Sequence, residues 1–336
     1  MSRNNPPGKP DPRTTRIHRR AFASGLAAAT AATGILVSQG YASSPANNIA
    51  TEPSTPIVKT MPSFRYCLNT STIHGEIVPI EKQIEIVQSA GYDGIEIWLR
   101  DVDKFVQGGG KVTDLRKRID DAGLRVESAI AFANWIVDDE AKRKQGLEQA
   151  KREMQTVLDL GGKRIAAPPA GATNGDRLDL DLAADRYRAL LEVGSQVGCL
   201  AQLEVWGFSK NLSRLSEVLY VAAQAQHPDA CILPDIYHLY KGGSRFEDLK
   251  FLAGKKVHVL HMNDYPNLPR ESINDADRVY PGDGTAPIAD ALQTLISSGF
   301  EGVLSLELFN RAYWSQDPLL VAKTGLAKMK QSVAAL

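Results

Sequence analysis

From residue 63 to the C-terminus the apolar positions alternate between two rhythms. Stretches with apolar residues three or four apart, the spacing of one helix face, end at a glycine. A short run rich in β-branched residues then follows, with the period-two alternation of a strand. The helix-ending glycines are Gly91, Gly123, Gly161, Gly198, Gly254 and Gly299. Glycine suits that position because it reaches the left-handed conformation without steric cost. The strand-like runs are 64–69, 92–98, 125–132, 164–168, 201–206, 231–236, 257–261 and 302–308. Helical patterns at 80–90, 112–122, 139–160, 180–197, 212–226, 246–253, 287–298 and 318–336 follow them in turn. Eight such units predict an α/β protein, a single (β/α)8 TIM barrel over residues 62–336. No G-x-G-x-x-G follows any run, which argues against an open doubly wound sheet.

Charge separates this body from what precedes it. The 336 residues carry 39 basic and 39 acidic side chains, a net charge of zero. Residues 1–42 hold six basic residues against Asp11, a local charge of +5, which leaves −5 for the remainder. Arg19-Arg20, an Ala/Gly/Thr-rich run to Val37 and the small residues around Tyr41 have the three-part organisation of a secretory signal. The segment resembles a twin-arginine export signal, with Phe22 two places after the arginine pair. The apolar run is short and alanine-rich for a membrane span. Residues 1–42 are therefore read as a signal peptide and 43–61 as a disordered linker. The protein is expected to be exported to the periplasm or cell envelope, without a stable membrane span after processing. The acidic body argues against a nucleic-acid partner. Cys67, Cys199 and Cys231 are odd in number and far apart, so they read as small core residues rather than a disulfide framework or zinc knuckle.

In such barrels the chemistry sits at the C-terminal ends of the strands. Period two puts Gln202, Glu204 and Trp206 on one face of the fifth strand and Leu203 and Val205 on the other. In the eighth strand Glu307 stands opposite Leu304, Leu306 and Leu308, which must pack under helices. A carboxylate aimed into a barrel is costly unless it binds or reacts, so Glu204 and Glu307 are candidate ligands or catalysts. Asp235 lies near the end of the sixth run and His261 ends the seventh. His258 falls on the opposite face of the seventh run and is assigned to the outer layer, while His74 is either a loop residue or a contributor at the mouth. Glu204, Asp235, His261 and Glu307 make a hard, oxygen-rich set that suits one divalent ion, Mn²⁺ foremost, with Mg²⁺, Co²⁺ and Zn²⁺ as alternatives. Glu96 shares a face with Trp98 and is placed at the site, in contact with substrate or behind the ligands. Trp206 and Trp135 offer rings to a sugar or to the core. Arg278 precedes the Pro281-Gly282-Asp283-Gly284 turn and is a candidate for anion or hydroxyl recognition, the turn holding the chain close to a ligand. Arg270 is read as solvated.

Taken together, Gly94-Ile95-Glu96-Ile97, Leu203-Glu204, Asp235-Ile236-Tyr237-His238, His261-Met262-Asn263-Asp264, the 278–284 segment and Leu306-Glu307 resemble the xylose-isomerase-like barrel superfamily of sugar isomerases and epimerases. The resemblance covers roughly residues 63–336 and is closest to the ketose 3-epimerase branch. It implies that Glu204, Asp235, His261 and Glu307 bind one divalent metal, and that His238 and Arg278 contact substrate. The 264–277 segment is longer than that branch usually shows. The exported leader favours an unphosphorylated sugar, inositol derivative or polyol-ketone as substrate.

The implied reaction is proton abstraction next to a carbonyl through an enediolate, with Glu204 and Glu307 removing and returning the proton. Return to the opposite face gives epimerisation, return to the neighbouring carbon gives isomerisation, and loss of a β-hydroxyl gives dehydration. Inosose or keto-sugar dehydration is thus the alternative on the same site, and a non-catalytic sugar-binding barrel is a further one. An apurinic endonuclease of the same superfamily needs many more histidines than the six present. Homo-oligomerisation is left open.

Overall fold

Eight strands form in the predicted order in the computed structural model, which describes residues 63–74 and 77–336. They are β1 (Arg65–Asn69), β2 (Gly94–Trp98), β3 (Arg125–Ile130), β4 (Arg164–Ala167), β5 (Leu200–Glu204), β6 (Ile232–Leu233), β7 (Val259–Met262) and β8 (Val303–Leu306). The helices among the described residues are α1 (Ile80–Ala90), α2 (Leu99–Gln107), α3 (Val112–Asp121), α4 (Glu140–Asp159), α5 (Leu180–Val197), α6 (Leu215–Gln224), α7 (Ile236–Gly242), α8 (Ile288–Ser297), α9 (Arg311–Trp314) and α10 (Pro318–Ala334). Several start where an aspartate side chain accepts a first-turn N–H: Asp139 before α4, Asp179 before α5 and Asp317 before α10. Residues 1–61, read as leader and linker, lie outside the described residues.

All ladders are parallel, in two arcs ordered β3-β2-β1-β8-β7 and β4-β5-β6. Parallel bridges Ile232↔Val257 and Asp235↔His261 join β6 to β7. β3 and β4 adjoin without a ladder; Arg164 Nε instead donates to the Glu127 carbonyl at 2.9 Å. The result is a (β/α)8 TIM barrel in one compact unit.

Alternation sorts the strand side chains into two cores. Leu68, Ile95, Leu203, Leu260, Leu304 and Leu306 point outward into the layer shared with the helices. Cys67, Ile130, Ala166, Leu233, Val259 and Val303 form a separate apolar cluster inside the ring. All three cysteines are free and buried, as expected. Below the inner cluster, the β2–β3 register shifts so that Glu127 is an extra residue between the partners of Ile95 and Glu96. Glu127 accepts from Arg65 Nε at 2.7 Å and from Arg164 Nη2 at 2.8 Å, which fills the barrel floor. Gly94 faces this pair closely: a Cβ there would come within 2.6 Å of Glu127 Cγ.

Five elements differ from expectation. β6 covers two residues rather than six, because the Asp235 side chain accepts from the His238 N–H and caps a helix at Ile236. α2, α7 and α9 carry no predicted counterpart. Residues Phe246–Phe251 form a 3-10 helix instead of an α-helix. Among the described residues no helix is long and apolar enough to cross a membrane.

Candidate metal centre

Strand register brings the acidic residues to one level. Asp235 bridges His261 across β6–β7, His261 is paired with Ser305 across β7–β8, and Glu96 with Asn69 across β1–β2. The His261 ring stands at the centre. Its Nδ1 lies 3.2 Å from Glu307 Oε2, 3.6 Å from Glu204 Oε1 and 3.6 Å from Asp235 Oδ2. Its Nε2 lies 3.1 Å from Glu96 Oε2. Glu204, His261 and Glu307 each bring a donor atom within 4.8 Å of the others.

These groups are held from behind. Asn69 Nδ2 donates to Glu96 Oε2 and Glu307 Oε1, both at 3.0 Å, while its Oδ1 accepts from Trp98 Nε1 at 2.8 Å. Ser305 Oγ donates to Glu96 at 2.7 Å. Arg278, wholly buried, donates through Nη1 to Asp235 (3.0 Å) and Glu307 (2.9 Å), and through Nη2 to Asp275 (2.7 Å). The same Nη2 lies 3.1 Å from His238 Nε2, so His238 accepts there and carries its proton on Nδ1, which has no partner. Among the described residues no donor hydrogen-bonds Glu204.

Four buried carboxylates (Glu96, Glu204, Asp235, Glu307) thus face one guanidinium and one imidazole. Burial pushes the Glu204 carboxyl well above the usual range, with Glu307, Asp235 and Glu96 adding to the rise and His261 opposing it. Burial works the other way on His261, yet Glu307 and Glu96 raise it well above its ordinary value. Asp235 is held low against burial by Arg278 and His238, and Glu96 is held low against burial by His261, Ser305 and Asn69. Burial lowers His238. The donor set fits a divalent cation on two counts. Excess buried negative charge needs compensation. The Nδ1 of fully buried His261 also has no hydrogen-bond partner, although three carboxylates face it. Glu96 behind Nε2 fixes the tautomer that leaves Nδ1 free to ligate. Asp235 and Glu307 are more engaged than Glu204: both oxygens of Asp235 accept, from the His238 N–H, Asn263 Nδ2 and Arg278 Nη1, and both of Glu307 accept, from Asn69 Nδ2 and Arg278 Nη1.

Above the cluster lies a cavity of about 210 Å³, walled by Trp98, Phe132, Trp206, Phe208 and Phe309, with Glu204, Glu307, His238 and Arg278 at its base. Residues 84–332 match the model of the xylose isomerase-like TIM barrel family. The chain belongs to that family. An inosose isomerase of Bacillus licheniformis is 27% identical over 257 residues, which cover 75% of this chain and 91% of the relative. A 3-dehydroshikimate dehydratase of Pseudomonas putida is 23% identical over 253 residues, covering 74% of this chain and 39% of the relative. The crystal structure of the IolI protein with a binding zinc atom superposes with a TM-score of 0.75 at 22% identity, covering 81% of this chain and 99% of the other.

Glu204, Glu307, His238, Arg278 and Trp206 line one cavity, and fully buried Asp235 and His261 contact Arg278 and the two glutamates behind its base. Glu96 is fully buried behind His261 and does not line the cavity, so it supports the cluster and is out of reach of a substrate. The Pro281–Gly284 turn does not approach the cavity. It wraps the Asp264 carboxylate, which accepts from the N–H groups of Tyr265, Gly282, Gly284 and Ala286. The Asp264↔Val279 bridge in turn braces Arg278. Trp135 is a core residue, its Nε1 bound to the Pro168 carbonyl. His74 stacks on Trp314 at 4.2 Å, away from the cavity lining. Asn69, Ser305 and Asp275 are absent from the sequence-based expectations; parity signals two of them, since Ser305 shares the Glu307 face of its strand and Asn69 the Cys67 face, whereas Asp275 lies outside any strand pattern.

Proposed function

We propose that the protein is a divalent-metal-dependent isomerase or epimerase of an unphosphorylated sugar or polyol-ketone, acting by proton abstraction next to a carbonyl. The observation that carries this reading is the unpartnered Nδ1 of buried His261 facing three carboxylates at 3.2–3.6 Å. Glu204, His261 and Glu307, with Asp235 as the fourth ligand, would hold the ion; when bound it supplies a Lewis acid that acidifies the C–H beside a carbonyl. The metal reading favours Mn²⁺ from the oxygen-rich donors, with Zn²⁺ supported by the zinc in the IolI structure. Glu204 has raised proton affinity and no donor to hold it, which suits it to remove the proton. Glu307 is fixed by Asn69 and Arg278 and would return a proton from its own side. His238, neutral with a free Nδ1, is left to hydrogen-bond a substrate oxygen.

Dehydration is the second reading, favoured by the 3-dehydroshikimate dehydratase relative, because loss of a β-hydroxyl can follow the same proton abstraction. The export reading rests on Arg19-Arg20 and the apolar run behind them; Lys at both positions should block export. The activity is tested by incubating the metal-supplemented protein with ketoses and inososes in deuterated water. Deuterium entering the carbon next to the carbonyl is expected, together with about one divalent ion per chain. Glu307→Gln should abolish turnover while the melting transition survives. A protein that exchanges at full rate in excess chelator would refute the reading.

A further inference from the structure

One wall of the cavity takes no part in the proton transfer. Phe309, Trp98, Phe132, Trp206 and Phe208 form an unbroken run of ring contacts, with centroids 6.0, 5.3, 5.9 and 4.9 Å apart. Trp98 anchors one end through Nε1 on Asn69. The other end opens to solvent, with Phe132 38% and Phe208 41% exposed. Two phenyl rings left wet beside a binding cavity mark a surface whose burial by a ligand is favourable. The charged groups lining the cavity are Glu204, Asp275, Glu307 and Arg278, beside neutral His238, and the Arg278 guanidinium is already engaged by Asp235, Glu307 and Asp275. An anionic substituent therefore meets carboxylates there. At about 210 Å³ the cavity holds a single sugar-sized ring, below the roughly 300–1,000 Å³ usual for drug-sized ligands. Anything attached to that ring leaves past Phe132 and Phe208.

We propose that the substrate is a neutral keto-sugar bearing a flat apolar substituent, an aryl glycoside in chemical class. Its sugar ring lies over Glu204 and Glu307 and its aryl group stacks on Phe132 and Phe208. The placement of the sugar rests on the proton-transfer reading above, whereas the aryl subsite has its own readout. Methyl and phenyl 3-keto-β-D-glucopyranosides are the probes, with affinity measured by calorimetry and label uptake in deuterated water. The phenyl compound should bind about tenfold tighter or more. Combined Phe132→Ala and Phe208→Ala should bring that ratio close to one. Phe208→Leu, which keeps apolar bulk without a ring face, should lower the ratio in a protein whose melting transition is retained, and Phe208→Tyr should preserve it. Equal affinity for the two probes, no binding of the phenyl probe, or an unchanged ratio in the variants would overturn the subsite. Tight phenyl binding with no deuterium entering either probe upholds the subsite and refutes the proton-transfer reading. Deuterium entering both at equal affinity refutes the subsite alone.

Discussion

Replacing Glu204 by glutamine should stabilise the metal-free protein while removing its response to metal. The donor atoms of Glu204 and Glu307 lie within 4.8 Å, a repulsion of about 3 kcal/mol at an effective dielectric near 20. His261 at 3.6 Å returns about 4–5 kcal/mol when charged, so the two nearly cancel. The balance is set by desolvation, several kcal/mol for a carboxylate that no donor reaches. Glutamine has nearly the same shape, lacks the charge, and can donate to Glu307. We expect a gain of about 1–3 kcal/mol without metal, which is on the order of 5 °C in melting temperature for a domain of this size. With metal at about a thousand times its dissociation constant the wild type should gain about 4.1 kcal/mol and the variant almost nothing. The order of stability therefore reverses between chelator and metal in a pair of thermal scans. A chelated variant that melts at or below the wild type, or equal gains from metal, would refute the electrostatic argument.

Glu96→Gln should weaken metal affinity about 10–100-fold through loss of the charge behind His261, as read by competition with a coloured chelator; unchanged affinity would remove Glu96 from its supporting role. Glu127→Gln should cost about 1–3 kcal/mol in urea unfolding, less than the 3–5 kcal/mol of a fully buried pair because both arginines are partly exposed. No change would mean that the floor is held by packing alone. Burial depresses His258, with Arg164 and Lys256 adding to the effect. The folded state then holds that proton less tightly than the unfolded chain, so stability is complete above the ordinary histidine range and falls as pH drops below about 6.5. His258→Gln should flatten that acid limb in melting temperatures taken from pH 8 to 5.5, and an unaltered slope would discount the residue.

Where local signals were complete, the sequence was read to the residue. α1 and α5 have the predicted bounds because an amphipathic stretch ends at Gly91 and Gly198, both in the left-handed conformation. Glu204, His261 and Glu307 were legible because parity fixes the face of a strand side chain. The failures share a different cause. α2 begins directly after β2 with no glycine or proline between, and α7 begins only two residues beyond β6, where Ile236-Tyr237 looks like a continuing strand. Asp235 stands at a strand end as expected, bridging His261, and its carboxylate also caps a helix, which period two does not signal. The aromatic wall was invisible, since Phe132, Phe208 and Phe309 just beyond strand ends are indistinguishable from core residues in one dimension. The partners of Arg278 depend on how the 264–287 segment doubles back on Asp264, a long-range contact that no local pattern encodes.

Among the described residues the Glu127 ion pairs and the apolar cluster above them underlie the acidic cluster, whose Glu204 and Glu307 face the cavity at the mouth. On the proposed chemistry a hydrogen lifted onto Glu204 would leave through that cavity, and a group stacked across Phe132 and Phe208 would stand in its path. The residence time of that hydrogen then depends on the ligand as much as on the carboxylate. Larger substituents should see more of their own hydrogen returned, so that isotope retained in the product becomes a gauge of how well each substrate seals its own reaction chamber.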